Sequence, residues 1–425
     1  MRRIFLFFFL VAFVAVAGAE TVKGRIQVVS RQAATIQIDV NGKKVVVRTD
    51  ANTQYDGAAG LKDLNPPDLI EAEREPGKAA TRIKKIVFGL PPGIEISVEE
   101  LIRIMTGGQA YYLFDARPVK RFGPGHIPSA KPAFPKDENF LGLLPTDKNA
   151  LLVFYCGGPT CPYTGVAVGK AQEAGYTRLK GFQDGLPGWK QSKLPVHSEA
   201  SWLASNLNTQ HVILDVRDKA ASSQSHIQGA VALPLSELQA MTQHFISEQK
   251  APELPGVTDL RAPIVVYADS HTSKEALLAY KDLRDWGYKG TTVLNGGFSN
   301  WAAAGLPTEQ GAAVTDIVYE KKLAPGAIAP KEFVALEQSR EAVLFVDVRT
   351  DQETTATGVV KDARQIPLEQ LEDRLAELPK DKEIILYCAN GIRAEMAYQT
   401  LHKLGYKTRF LNETIVIDKN GQFKM

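Results

Sequence analysis

The chain has 425 residues, too many for one ordinary core and enough for three or four units of the usual size. With 44% hydrophobic and 23% charged residues and a net charge of only +2, it has the composition of a soluble globular protein, and nothing in that balance argues for nucleic acid. Three cysteines, Cys156, Cys161 and Cys388, are too few for a disulfide framework, so each raises a chemical question instead.

At the start, Arg2 and Arg3 precede an apolar run over residues 4–16, and Ala17-Gly18-Ala19 follows before Glu20. These are the three parts of a signal peptide over residues 1–19, because the run is shorter than the roughly 20 residues that cross a bilayer. The chain is therefore expected to be exported, with the periplasm as its compartment, and to keep no membrane span after cleavage. No cysteine follows the run to take a lipid.

Residues 20–90 read as a small all-β domain, a barrel or a sandwich, with strands over 25–29, 35–40, 44–48, 69–73 and 82–87. Asn41-Gly42 joins two of them as a hairpin turn whose central positions both need positive φ. The domain contains neither Cys nor His, which favours a spacer or interaction role. Pro91-Pro92-Gly93 marks its end.

From residue 94 short apolar runs alternate with helical stretches, the pattern of parallel α/β units. It repeats. One apolar run ends in Asp115-Ala116-Arg117, Asp215-Val216-Arg217 or Asp347-Val348-Arg349, and the next in Tyr155-Cys156, Tyr267-Ala268 or Tyr387-Cys388. A helical stretch closed by Gly175-Tyr176, Gly287-Tyr288 or Gly405-Tyr406 follows each. The copies are domain-sized, over 94–197, 198–310 and 324–425, with residues 309–330 reading as the linker before the third.

Asp115-Ala116-Arg117 with Gly125-His126-Ile127-Pro128, and Asp215-Val216-Arg217 with His226-Ile227-Gln228-Gly229, resemble the opening of rhodanese domains; Gly181-Phe182 to Trp189 and Gly296-Gly297-Phe298 to Trp301 resemble their closing motif. The resemblance covers residues 95–425. It implies in each copy a five-stranded parallel sheet between helices, with a cysteine loop at a strand's C-terminal end. The third copy lacks His-Ile-Pro, offering residues 358–367 instead, and lacks the closing Gly-Gly and Trp. Its loop fits best: Cys388-Ala389-Asn390-Gly391-Ile392-Arg393-Ala394 is similar to the family's Cys-x-x-Gly-x-Arg-Ser/Thr, with Ala394 in place of the hydroxyl residue.

A cysteine at a strand-to-helix loop meets converging N–H groups and the positive end of a helix dipole, which favour the thiolate. Cys388 is thus the expected nucleophile and sulfur carrier, with residues Ala389, Asn390, Gly391, Ile392, Arg393 and Ala394 binding a thiosulfate-like anion. A thiol or cyanide would accept the sulfur, and no cofactor or metal is needed. Asp347 and Arg349, like Asp115 and Arg117, are expected to support the loop structurally. Cys156 is a second catalytic candidate. Its loop is longer, lacks Arg and contains two prolines, while Cys161 is either a redox partner for Cys156 or the other half of a permanent disulfide. The second loop has Ala268 and cannot form a persulfide; His271 and Asp269 are read there as solvated polar residues. Two other functions remain open: a non-catalytic platform binding envelope proteins, and a thiol or oxyanion reductase using Cys156 and Cys161.

Overall fold

The structure, a computed structural model, describes residues 19–75, 78–339 and 342–425. The signal-peptide reading lies, apart from Ala19, outside the described residues. The chain forms two compact units, one of residues up to Ile86 together with Leu323–Met425, the other Val87–Lys322.

In the first unit the N-terminal strands Glu20–Ser30, Thr35–Val40, Lys43–Arg48, Gln54–Asp56, Leu69–Arg74 and Arg82–Ile86 form one six-stranded sheet. The expected hairpin forms, with Asn41 at φ 54° and Gly42 at φ 84° and register running from Val40–Lys43 to Thr35–Arg48. The long first strand pairs antiparallel with both Thr35–Val40 and Leu69–Arg74. A bridge from Arg48, in one edge strand, to Ala79, just before strand Arg82–Ile86, brings the curled sheet back on itself, so the domain is barrel-like and not a two-sheet sandwich. Ile26, Ile36, Ile38, Val47, Ile70 and Ile83 fill its interior. Strand side chains alternate between faces, yet Thr35 and Gln37, on the face opposite Ile36 and Ile38, are buried as well. The outer side of this strand is therefore covered within the unit, where helix Ile392–Lys403 lies against Glu20–Ser30 and Lys43–Arg48.

The rest of this unit is a parallel sheet in the order Ala327–Ile328, Thr408–Leu411, Glu383–Tyr387, Val343–Asp347, Arg364–Gln365. The second unit holds two sheets of the same winding. One runs Arg178–Phe182, Leu151–Tyr155, Tyr112–Asp115, Lys131–Pro132, extended by a parallel bridge from Glu95 to Gly181. The other runs His197–Ser198, Thr291–Leu294, Ile264–Tyr267, Val212–Asp215, Val231–Ala232. The central strands Leu151–Tyr155 and Ile264–Tyr267 are buried throughout, as parallel strands covered on both faces must be.

Residues 309–330, read as a linker, are in part bound to the second copy. Ile317 and Tyr319 pack on its core, Tyr319 Oη donates to Asp259 Oδ2 at 3.0 Å, and Val314 bridges to Val231. Residues 88–90, read as the tail of the β domain, belong with the first copy: Phe88 N–H donates to Pro159 O at 2.8 Å.

Candidate active site

Each α/β copy builds the same knot at the C-terminal end of its central strands. In the first, Arg117 Nε lies 2.9 and 3.0 Å from the two oxygens of Asp115, and its Nη2 donates to Gly125 O at 2.6 Å. Tyr155 Oη donates to Asp115 Oδ2 at 2.8 Å and accepts Ile127 N–H at 3.1 Å. In the second, Arg217 clasps Asp215 and Tyr267 Oη repeats both contacts, at 2.9 Å to Asp215 and 3.1 Å from Ile227. In the third, Arg349 Nε is 3.0 Å from both Asp347 oxygens, Nη2 reaches Gly358 O at 2.7 Å, and Tyr387 Oη accepts Val360 N–H at 3.0 Å. Burial pushes the Tyr387 phenol well above its ordinary range, so it stays a neutral donor beside the Asp347 carboxylate.

Gly358 and Val360 thus take the places of Gly125 and Ile127, which explains how the third copy closes without His-Ile-Pro. In place of the helices bearing Trp189 and Trp301 it uses the hairpin Val416–Ile417 and Phe423–Lys424, whose Ile417 and Phe423 pack with Phe333 and Tyr387. The sequence placed Asp347, Arg349, Asp115 and Arg117 in this supporting role. It did not single out the tyrosine, although Tyr precedes the loop position in all three copies.

Cys388 follows strand Glu383–Tyr387 directly and is the free cysteine, fully buried at 0% exposure. Its Sγ donates to Asn390 Oδ1 at 3.8 Å, and the same oxygen accepts Ile392 N–H at 3.3 Å. Gly391, at φ 83°, turns the chain into helix Ile392–Lys403, and a Cβ there would meet the Asn412 backbone at 2.9 Å. Among the described residues the N–H groups of Ala389, Asn390 and Gly391 meet no acceptor, leaving the loop a row of donors at a helix N-terminus. Ala394 is buried and brings no hydroxyl.

Arg393 departs from expectation. Its side chain is 1% exposed and does not point out of the loop as an anion clamp. Nη1 lies 2.5 Å from Glu353 Oε2 and Nη2 2.7 Å from Oε1, while Nη2 also donates to Gln32 Oε1 at 3.1 Å. A guanidinium committed to a carboxylate in the protein has few donors left for a ligand, and these bonds tie Arg393 into the fold around the loop. Although burial opposes its charge, the bonds to Glu353 and the proximity of Cys388 hold its pKa above the usual value. The Arg393 bonds hold the Glu353 carboxyl down at about 2. Glu353 is itself fixed by a capping box on helix Asp351–Thr357, its Oε2 accepting Thr350 N–H at 3.0 Å. Neither Glu353 nor Gln32 was singled out from the sequence; Glu353 carried one usable signal, its place three residues after Thr350.

In the first copy Cys156 and Cys161 are joined in a disulfide and both are buried, so Cys156 has no thiolate in this state. In the second, Asp269 Oδ1 takes Arg217 Nη1 at 3.3 Å, and His271 Nδ1 accepts Gly296 N–H at 2.9 Å; both serve the local fold.

The family profile of the rhodanese-like domain matches residues 97–192, 199–304 and 329–415. The chain belongs to the rhodanese-like family. Its rhodanese-like domains are three in tandem, as the repeated Asp-x-Arg motifs imply. Among relatives, a protein named Sulfurtransferase from Allochromatium vinosum is 41% identical over 66 residues, 16% of this chain and 61% of its own length. A protein from Mycobacterium tuberculosis named HTH-type transcriptional regulator Rv0324 is 38% identical over 170 residues, 40% of this chain and 73% of its own. Among solved structures, a thiosulfate sulfurtransferase from Pseudomonas aeruginosa is 16% identical, aligned over 75% of this chain and 66% of its own, with a TM-score of 0.22.

Proposed function

We propose that this protein is an exported sulfurtransferase that carries sulfane sulfur on Cys388. The observation that carries the reading is a free cysteine placed by strand Glu383–Tyr387 under a loop of unpaired N–H groups at the start of helix Ile392–Lys403. Such a loop stabilises a thiolate and binds an oxyanion through the backbone. The Cys388 thiolate attacks the outer sulfur of a thiosulfate-like donor; the S–S bond breaks and sulfite leaves with the electron pair. An acceptor thiolate, or cyanide, then attacks the outer sulfur of the persulfide and returns Cys388 as thiolate. Ala394 withholds the hydroxyl of the family loop, so the donor's oxygens rely on N–H groups. The periplasm is the proposed compartment and envelope thiol proteins the proposed acceptors, on the strength of Arg2, Arg3 and the apolar run after them.

The test is intact mass before and after incubation with thiosulfate, for wild type, Cys388→Ser and Cys156→Ser. One added sulfur atom, lost only in Cys388→Ser, supports the reading. Loss only in Cys156→Ser moves the site to the first copy, and no gain in any reduced form removes thiosulfate as donor.

A further inference from the structure

The N-terminal module and the third rhodanese-like domain, at opposite ends of the sequence, share one compact unit. The module reaches the helix that follows the Cys388 loop through Gln32, in the turn between strands Glu20–Ser30 and Thr35–Val40, which bonds Arg393. That turn is pinned on both sides. Ala33 N–H donates to Ser30 Oγ at 3.2 Å, Thr35 Oγ1 donates to Ala33 O at 2.6 Å, and Arg31 Nη2 donates to Asn65 Oδ1 at 2.9 Å. The backbone carrying Gln32 is therefore fixed before the side chain meets Arg393. Arginine only donates, so it is the carbonyl oxygen of Gln32 that must face it.

Arg393 sits two residues after Gly391, in the first turn of helix Ile392–Lys403, and its guanidinium is held by Glu353 through both Nη atoms, with Gln32 sharing Nη2. Movement of the guanidinium moves that first turn, and with it the N–H groups of Gly391 and its neighbours. We propose that Gln32 is a positioning residue of the Cys388 site: by fixing Arg393 against Glu353 it sets the loop's N–H groups to receive an anionic donor. The N-terminal module is then a working part of the third domain. This rests on the reading of the Cys388 loop as an anion cradle.

A second tie between the same parts supplies the control. Lys44 Nζ lies 3.6 Å from Glu395 Oε1 and does not touch Arg393. In unreduced protein Cys388 is the free thiol, so its alkylation rates can be read alone. Iodoacetate is anionic and iodoacetamide neutral, and their rate ratio reports the cradle whether or not thiosulfate is a donor. Gln32→Leu and Gln32→Ala are expected to lower the iodoacetate to iodoacetamide ratio about fivefold, the loss of one charge-assisted hydrogen bond's positioning. Lys44→Ala is expected to leave it unchanged, and thiosulfate loading of Cys388 should slow in parallel with the ratio. An unchanged ratio in both Gln32 variants, or an equal fall in Lys44→Ala, overturns the proposal in favour of simple docking. If the wild type takes up no sulfur from thiosulfate, the donor assignment falls, and the alkylation ratio still decides the role of Gln32.

Discussion

Arg393 and Glu353 meet as a two-pronged ion pair, with Nη1 2.5 Å from Oε2 and Nη2 2.7 Å from Oε1. Forty residues apart in the chain, they join the helix that follows the Asp347–Arg349 knot to the helix that follows the Cys388 loop. The pair anchors the first turn of the helix after the Cys388 loop and leaves the guanidinium few donors for a ligand.

Removing one partner strands a buried charge. Glu353→Ala is expected to destabilise the unit by about 3 kcal/mol, the usual cost of an uncompensated buried ion. Urea unfolding followed by fluorescence measures it; a midpoint matching wild type would show that Arg393 finds another partner.

The same pair sets an acid limit. The Glu353 carboxyl is lowered from 4.5 to about 2, so the folded state holds its proton less tightly than the unfolded chain. Its stabilisation is complete above about pH 4.5 and is lost as pH falls towards 2. Acid unfolding of wild type should be steeper in that window than that of Glu353→Gln, and identical slopes would remove Glu353 as the cause.

His197 acts in a higher window. Burial, then the nearby His271 and His126, lowers it from 6.5 to about 3. The unfolded chain therefore takes up a proton that the folded chain refuses, and stability declines as pH falls from about 6.5 towards 3. In His197→Phe the decline should be shallower over that range, read from thermal melts at several pH values.

Tyr155→Phe deletes the hydroxyl that joins Asp115 to Ile127 N–H. Leaving that buried N–H unpaired, and taking one of its donors from Asp115 Oδ2, should cost about 1–3 kcal/mol. The loss appears in the unfolding midpoint, and a neutral outcome would mean that the Asp115–Arg117 pair suffices alone.

Thiol counting separates the two cysteine loops. Denatured without reductant, the protein should take one alkyl group, on Cys388, and after reduction three, because Cys156 and Cys161 are paired. Native Cys388, at 0% exposure, should react more slowly than in the denatured chain. Three groups without reductant would place all the cysteines in the thiol state.

The sequence by itself determined the tandem α/β copies, the Asn41-Gly42 hairpin and the Cys388 loop, since each is written in local signals: alternation, turn residues and spacing along one strand-to-helix step. It also named Asp347 with Arg349, which lie two residues apart. Only the tertiary structure decided what Arg393 does, because its partners Glu353 and Gln32 come from distant segments and burial makes a guanidinium take the nearest carboxylate. It likewise decided that Gly358 and Val360 replace a missing motif, that residues 314–320 bind the second copy, and that the N-terminal module shares a unit with the third domain. Burial and charge compensation act through space, and neither leaves a period in the chain.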